Sequence, residues 1–471
     1  MRNLKLTLLL SCISLIVVAQ TKYRVSLQEL QAYEGQYEYI NHGTLQIAAS
    51  PIDTLLYAII SQSRYPLRPF NKDVFKNNSG DPVKFLRDST NHIVGYTANN
   101  QTFNLISKAV VFPKEMWYPK LSAIGKPYHY TYQKPTKLKD GLLIGNINQS
   151  GLDASLLSDM MNKIVTGKYP GVHSILIVKD GKLVFEEYFY EYTVDSLHEL
   201  RSASKSFVSA LTGLALQKGY IKSKDEAVLS YFPDYTPLND SPLKHKITIE
   251  HLLTNQSGLD YDISNPKSAG DETKMNYSDD WVKYTFDLPM IDTPGGRGMY
   301  ASGNPIALGR IIEKASSQSL GSFANESLFK PLGIQNYKWR FKPDKSSAED
   351  FCQLHLRPRD MAKFGLMYLN GGKWLKRQVV PASWVKASFT QHSTVQNVSY
   401  GYLWWLKYLE KDGVRYNGMA AQGNGGQKIF LFPDQQLVVV TTGGNYNSQS
   451  SADELILNYI LSSFSKKVKS N

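Results

Sequence analysis

One stretch of the 471-residue chain suits covalent chemistry by residue type and spacing: Leu200-Arg201-Ser202-Ala203-Ser204-Lys205-Ser206-Phe207. Here a polar segment enters an apolar, helix-periodic run. Residues three apart on a helix share a face, so Ser202 and Lys205 are neighbours. A serine hydroxyl is a weak nucleophile at neutral pH, and an uncharged lysine beside it can take its proton when burial or a nearby cation lowers the lysine pKa. The helix N-terminus favours the anion that forms. The spacing alone decides little. Ser-x-x-Lys also begins at Ser241, Ser264, Ser327, Ser383 and Ser463, and a helix cap beside a solvated lysine is its commoner meaning.

The elements that must position this pair fall into two patterns. Residues 27–107 alternate polar with aromatic or β-branched side chains, and turn clusters at 77–82 and 99–101 separate the runs. Short strands at this spacing predict a small antiparallel barrel or sandwich over 20–108. Residues 109–150 carry Pro113, Pro119, Pro127 and Pro135 without periodicity and read as a linker. From 151 to 467 the pattern is α+β. Strand-like runs at 173–179 and 182–188 flank Asp180-Gly181, and runs at 428–432 and 437–441 flank Pro433-Asp434, two hairpin signals. Between them the periodicity predicts helices at 204–218 stopped by Gly219, 305–315 capped by Asn304, and 359–369 stopped by Gly371-Gly372, with a last helix at 452–464. Strands at both ends with helices between imply one antiparallel sheet whose early and late strands pair, with a helical region inserted.

With these elements in place, further stretches accompany Arg201–Phe207: His251-Leu252-Leu253-Thr254-Asn255-Gln256-Ser257-Gly258-Leu259, Pro294-Gly295, Tyr300-Ala301-Ser302-Gly303-Asn304, Leu356-Arg357-Pro358-Arg359-Asp360-Met361-Ala362, Tyr400-Gly401-Tyr402-Leu403-Trp404-Trp405 and Gly423-Asn424-Gly425-Gly426-Gln427. In kind and order they resemble the serine hydrolases of the β-lactamase superfamily. The nearest branch is that of class C β-lactamases, penicillin-binding proteins, secreted esterases and 6-aminohexanoate-oligomer hydrolases. The first 108 residues look weakly like the lipocalin-like accessory domains of some secreted serine hydrolases. The resemblance implies a β-lactamase/penicillin-binding-protein-like fold, with Ser202 as acylated nucleophile, Lys205 as its base and Tyr300 as the phenol that relays protons. It also implies that the last strand passes close to the acyl group, with Gly423, Gly425 and Gly426 permitting the approach and the Gly426 N–H joining that of Ser202 as oxyanion donor.

Two departures bear on substrate. Where the family has Tyr-x-Asn this chain has Tyr300-Ala301-Ser302, so a short hydroxyl, or an ordinary turn residue, replaces a substrate-contacting amide. Where lactamases place Lys-Thr-Gly it has Gly423-Asn424-Gly425, and the cation that would grip a β-lactam carboxylate is missing. Trp404 and Trp405 are adjacent in a strand and point to opposite faces, so at most one lines the pocket. Arg357, Arg359 and Asp360 read as structural ion pairs.

Composition bounds the rest. With 42% hydrophobic and 20% charged residues the chain is globular and long enough for two domains. The first 19 residues, a basic MRNLK followed by an apolar run ending at Ala19, read as a secretory signal peptide; lipid attachment at Cys12 is the competing reading. Cys352 then remains alone, so no intramolecular disulfide forms. The formal charge of +12 is scattered without a basic run, which disfavours nucleic acid as a partner and leaves a weak attraction to an acidic cell surface. Nine histidines without metal spacing, no Gly-x-Ser-x-Gly elbow and no Gly-rich phosphate loop disfavour the common metal, α/β-hydrolase and nucleotide classes. The expectation is an exported serine hydrolase cleaving small carboxylic esters or amides without cofactor or metal. Its rivals are a peptidase acting on D-amino-acid peptides and a non-catalytic binding protein on the same fold.

Overall fold

Alternating burial closes a barrel of eight antiparallel strands running from Gly35–Glu38 to Gln101–Ser107. The first strand pairs with the last, Gln36 with Ser107 and Tyr37 with Leu105. A barrel of eight strands is narrow enough for side chains to fill, and here aromatic rings fill it. Tyr33, Tyr37, Phe75, Phe85, Tyr96 and Phe103 are buried, with Tyr33 edge-on to Phe75 at 5.1 Å and Tyr37 edge-on to Tyr96 at 5.6 Å. Such pairs add about 1 kcal/mol each beyond their buried area. A short helix, Leu27–Gln31, begins at a reciprocal Ser26–Glu29 cap and drops Leu30 into the same core.

The structure is a computed structural model describing residues 23–39, 43–60, 63–109, 114–262, 265, 267–339 and 354–465. The expected signal segment, Cys12 and Cys352 lie outside the described residues. Among the described residues no helix is long and apolar enough to cross a membrane.

After the barrel the chain makes two single 3₁₀ turns, Lys114–Met116 and Leu121–Ala123, as its prolines suggest. It is nonetheless tied down: Tyr130 Oη donates to Glu187 Oε1 (2.8 Å) and Tyr132 Oη to the Val184 carbonyl (2.9 Å). Leu143–Ile144 departs from the linker expectation by adding a parallel edge strand opposite Lys182 and Leu183.

That edge strand borders a nine-stranded sheet in the order Ser393–Val395, Val398–Tyr400, Trp405–Lys411, Val414–Gly423, Gln427–Phe432, Leu437–Gly443, Val172–Lys179, Lys182–Tyr188, Leu143–Ile144. The early hairpin lies beside the last strand as predicted, Leu176 opposite Val440. Asp180 and Gly181 both have positive φ, 50° and 73°, the mark of a tight type I′ turn. The later connection is longer than the two residues expected: a 3₁₀ turn, Pro433–Gln435, and a left-handed Gln436.

Gln427–Phe432 and Leu437–Gly443 are buried along their whole length because elements cover both faces. The helix Pro358–Leu369 presses onto one of them at Gly365, where a Cβ would meet Ile429 at 2.7 Å and Val438 at 2.8 Å. The helix Ser204–Gln217 is buried almost all round, so it is a core helix rather than an amphipathic surface one. The last helix is not continuous: a wide π segment, Ile456–Leu461, interrupts it and keeps Tyr459 against Tyr169.

His173, on Val172–Lys179, and His198 are buried and joined Nδ1 to Nε2 at 2.8 Å. Burial pushes His198 down to about 4, against the help its Nδ1 has from the Glu199 carbonyl; burial, then His198 and Arg64, hold His173 well below its ordinary range. Both rings stay neutral in the folded chain while the unfolded chain takes up protons near 6.5. Their contribution to stability is therefore flat above the unfolded value and lost as pH falls from there toward 4, by about 3 kcal/mol for His198 alone. Urea unfolding at pH 7.5 and pH 5 is expected to show a smaller acid loss for His198→Gln than for the unaltered chain; an equal loss would remove His198 from the titration.

Candidate active site

Ser202 sits at the junction the sequence indicated. The strand His198–Glu199 pairs with Leu354–Leu356, the Leu200 N–H continues that ladder to the Leu354 carbonyl at 2.9 Å, and a 3₁₀ turn, Arg201–Ala203, runs into the helix Ser204–Gln217. Arg201 makes the turn with φ of 48°, in the left-handed region that bulky residues avoid. One helical turn on, the buried Lys205 points its side-chain nitrogen back, and Nζ is hydrogen-bonded to Ser202 Oγ at 2.8 Å.

Tyr300 comes from a different part of the chain and meets the same nitrogen: Lys205 Nζ lies 5.1 Å from the centre of its ring. On the other side Trp405 stacks on Tyr300 at 5.5 Å and 29°, while Trp404 turns inward onto Tyr368 (4.8 Å). One of the two tryptophans therefore borders the site; Trp404 precedes the strand Trp405–Lys411, so the two are not neighbours within a strand as expected.

Asn255 holds Tyr300 in place. Its carbonyl accepts from the Met299 N–H (2.8 Å), and its Oδ1 accepts from the Ala301 N–H (3.4 Å) and from Asn304 Nδ2 (3.0 Å). Asn255 is buried with φ of 58°, a conformation Asn tolerates better than other side chains. Sequence reasoning quoted Asn255 within a stretch but gave it no role. The signal was an Asn beside Gln256-Ser257-Gly258, where a left-handed residue is at home. Asn304 is not the helix cap predicted: the helix runs Gly303–Ser316, and Asn304 is buried inside it.

Ser302, offered as a substrate-binding residue, directs its hydroxyl to Glu272 Oε2 at 2.8 Å and makes no cap bond to the helix it precedes. Gly425 and Gly426 do need glycine, with φ of 95° and 103°, but they face other partners. The Gly425 carbonyl accepts from Asn445 N (3.1 Å), the Gly426 carbonyl accepts from Thr441 Oγ1 (2.7 Å), and a Cβ on Gly426 would meet Ser450 Oγ at 2.6 Å. Gly423 is the glycine that abuts Ser202. A Cβ there would lie 2.3 Å from the Leu200 carbonyl oxygen, 2.9 Å from Arg201 Cβ and 3.0 Å from the Ser202 nitrogen. Buried Gln427 fastens this loop, donating to the Asn424 and Gly443 carbonyls (3.0 and 2.7 Å) and accepting from the Gly443 N–H (2.9 Å).

The charged stretch at 357–360 is structural, as read. Arg357 and Lys363 both bind the fully buried Asp360, each at 2.8 Å. Arg359 joins Glu186 at 2.5 Å and Asp140 at 2.9 Å, fastening its helix to the early hairpin and the incoming connector.

The arrangement is a hydroxyl hydrogen-bonded to a buried amine, a phenol over that amine, and a backbone strand close enough to the hydroxyl's own N–H to admit only glycine. Known proteins carry the same arrangement of elements. A family model described as Beta-lactamase matches residues 155–458. A conjectured D-alanyl-D-alanine carboxypeptidase of Escherichia coli O157:H7 is 25% identical over 236 residues, 43% of this chain and 52% of that protein. The chain thus spans about half the length of the Escherichia coli relatives it matches. Among solved structures, EstCE1, a hydrolase with promiscuous acyltransferase activity, superposes with a TM-score of 0.55 at 15% identity, covering 68% of this chain and all of its own. A class C β-lactamase from Rhodobacter sphaeroides gives 0.50 at 16% identity over 66% of this chain and 99% of its own. With the family model covering well over half of its length, the chain belongs to the β-lactamase family.

Proposed function

We propose that the chain is an exported serine hydrolase that cleaves carboxylic esters or amides through an acyl-enzyme on Ser202. The observation that carries this reading is the 2.8 Å hydrogen bond from Lys205 Nζ to Ser202 Oγ beneath Tyr300. Lys205 takes the hydroxyl proton as Oγ attacks the carbonyl. The tetrahedral oxyanion is held by the Ser202 N–H and by backbone donated from the strand end at Gly423, the segment packed on that nitrogen. The Tyr300 phenol passes a proton to the departing alcohol or amine and regains one from Lys205; water, deprotonated by the same groups, then displaces Ser202 Oγ, which takes that proton back as the acid leaves. Gly423-Asn424-Gly425 brings no cation to hold a substrate carboxylate, which favours neutral substrates over β-lactams. Export rests on residues 1–19, and a soluble rather than lipid-anchored form rests on the apolar run continuing past Cys12. A second reading, a D-amino-acid peptidase, is favoured by the similarity to the conjectured carboxypeptidase; faster release of D-alanine from a peptide than of alcohol from an ester would select it.

Intact mass after exposure to a fluorophosphonate, with turnover of a short-chain nitrophenyl ester alongside, tests the reading. One adduct on the unaltered protein and none on Ser202→Ala, which keeps the fold, is the expected result; a Ser202→Ala protein that still acquires the adduct refutes the nucleophile. Tyr300→Phe is expected to lower ester turnover by about 10²- to 10⁴-fold, the usual worth of a positioned proton donor.

Gly423→Ala tests the oxyanion strand separately. Its Cβ has no room beside the Leu200 carbonyl, so the strand must withdraw, and acylation is expected to slow by about 10²- to 10³-fold, the loss of one donor. Gly426→Ala, strained at its own φ and with its Cβ against Ser450 rather than Ser202, is expected to lower the melting temperature more than the acylation rate of the protein that remains folded.

A further inference from the structure

Two consecutive residues of one barrel strand, Ser63–Asn71, end on the turn that carries Ser202. Tyr65 Oη accepts a hydrogen bond from Arg201 Nη2 at 3.1 Å. Its ring stacks on Tyr446 at 5.6 Å, and the Tyr446 ring lies 4.8 Å from the Arg201 guanidinium carbon. Glu199 closes the cage with an ion pair to Arg201 at 3.0 Å. Asn78, from a barrel loop, adds a bond from Nδ2 to the Tyr446 carbonyl (3.2 Å).

The second link runs through the buried histidines and has a direction. Arg64 Nη2 lies 3.2 Å from His173 Nε2. A guanidinium can only donate, so Nε2 is the acceptor and the His173 proton sits on Nδ1. That proton goes to His198 Nε2 (2.8 Å), and the His198 Nδ1 proton goes to the Glu199 carbonyl (3.0 Å). Arg64 is itself braced by the Tyr190 ring (4.2 Å) and, at 3.7 Å, by Glu191. Both links terminate within residues 199–201, where Arg201 occupies an unfavourable left-handed conformation that persists only if its surroundings hold it.

We infer that the barrel is a working part of the catalytic site: Tyr65 and Arg64 are positioning residues that hold the 199–201 turn, and through it Ser202, in reach of Lys205. The inference rests on Ser202 being the nucleophile. Neither side chain touches the reacting atoms, so their loss acts on the rate of acylation rather than on substrate affinity. A barrel that served only to bind a ligand or the cell envelope would leave the rate on a small ester unchanged.

The test uses the full chain, with rates referred to the number of sites a fluorophosphonate labels at completion, so that a partly folded preparation does not mimic a slow one. Tyr65→Phe keeps the ring and its stack and removes only the acceptor. Its kcat on a nitrophenyl ester is expected to fall about tenfold, the worth of a hydrogen bond to a charged group, with KM within twofold. Arg64→Met is expected to behave alike, and Arg64→Gln, which keeps an N–H for His173 Nε2, to recover most of the loss. Tyr65→Phe and Arg64→Met proteins with kcat within twofold of the unaltered chain, or changes confined to KM, overturn the inference. If Tyr65→Phe does not fold, the Arg64 pair decides: a loss that Arg64→Gln fails to recover also overturns it. Labelling of Ser202→Ala would instead overturn the nucleophile, whatever the Tyr65 result.

Discussion

Ser202 meets Lys205 only if the chain passes from strand to helix within about one turn, and Arg201 makes that passage at φ of 48°. An L-residue with a long side chain gives up roughly 1–2 kcal/mol there, so everything adjacent has to favour the turn. The Leu200 N–H to the Leu354 carbonyl fixes the entry, the Glu199–Arg201 ion pair spans the bend, and the helix beyond is buried on nearly every side. Burial works against the Arg201 charge, and Glu199 together with Tyr65, Tyr446 and Glu272 more than offsets it, keeping the guanidinium ionised. Gly423 closes on the turn from above, near enough that no other residue fits.

The rest of the β-lactamase-family domain can be understood as a mount for this turn. The partner strand Leu354–Leu356 leads directly into Pro358–Leu369, whose inner face is pressed on the central sheet at Gly365. That helix carries Asp360, Arg359 and Lys363, all buried and all paired. A buried pair contributes little net energy, but removing one partner strands the other and costs about 3–5 kcal/mol. These ions therefore set one packing of helix, hairpin and connector. Tyr300 is mounted separately, through Asn255 and the helix Gly303–Ser316, so Ser202 and the phenol ride on different elements and are brought together only by the core between them.

The barrel has a core of its own, closed and aromatic, yet its Ser63–Asn71 strand contributes side chains to the neighbourhood of Arg201 and His173. The contact is polar and directional, and its Arg64 half depends on His173 Nε2 remaining free to accept. That ties the attachment of the barrel to the same protonation balance that governs stability on the acid side.

Much of this was legible in the chain, for local reasons. The barrel follows from period-two alternation, the Asp180-Gly181 turn from its two left-handed residues, and the Ser202–Lys205 proximity from helical spacing. The pairing of early and late strands follows from a strand–helix–strand order that leaves few other ways to bury both hairpins. What was not legible depends on contacts between distant segments. Which glycine abuts Ser202 depends on the register of the 414–432 hairpin, Gly423 opposite Gln427, and five residues rich in glycine look alike until that register is set. The partner of Ser302 lies at Glu272 and that of Asn304 at Asn255; a cap and a buried cross-link use the same residue types. Arg64 and Tyr65 looked like ordinary barrel residues, since nothing within a strand indicates which of its side chains will face another domain. Sequence alone thus determined the kinds of element and the proximity of Ser202 to Lys205. Tertiary packing decided which backbone closes over it and what holds it, because those are distances between residues hundreds of positions apart.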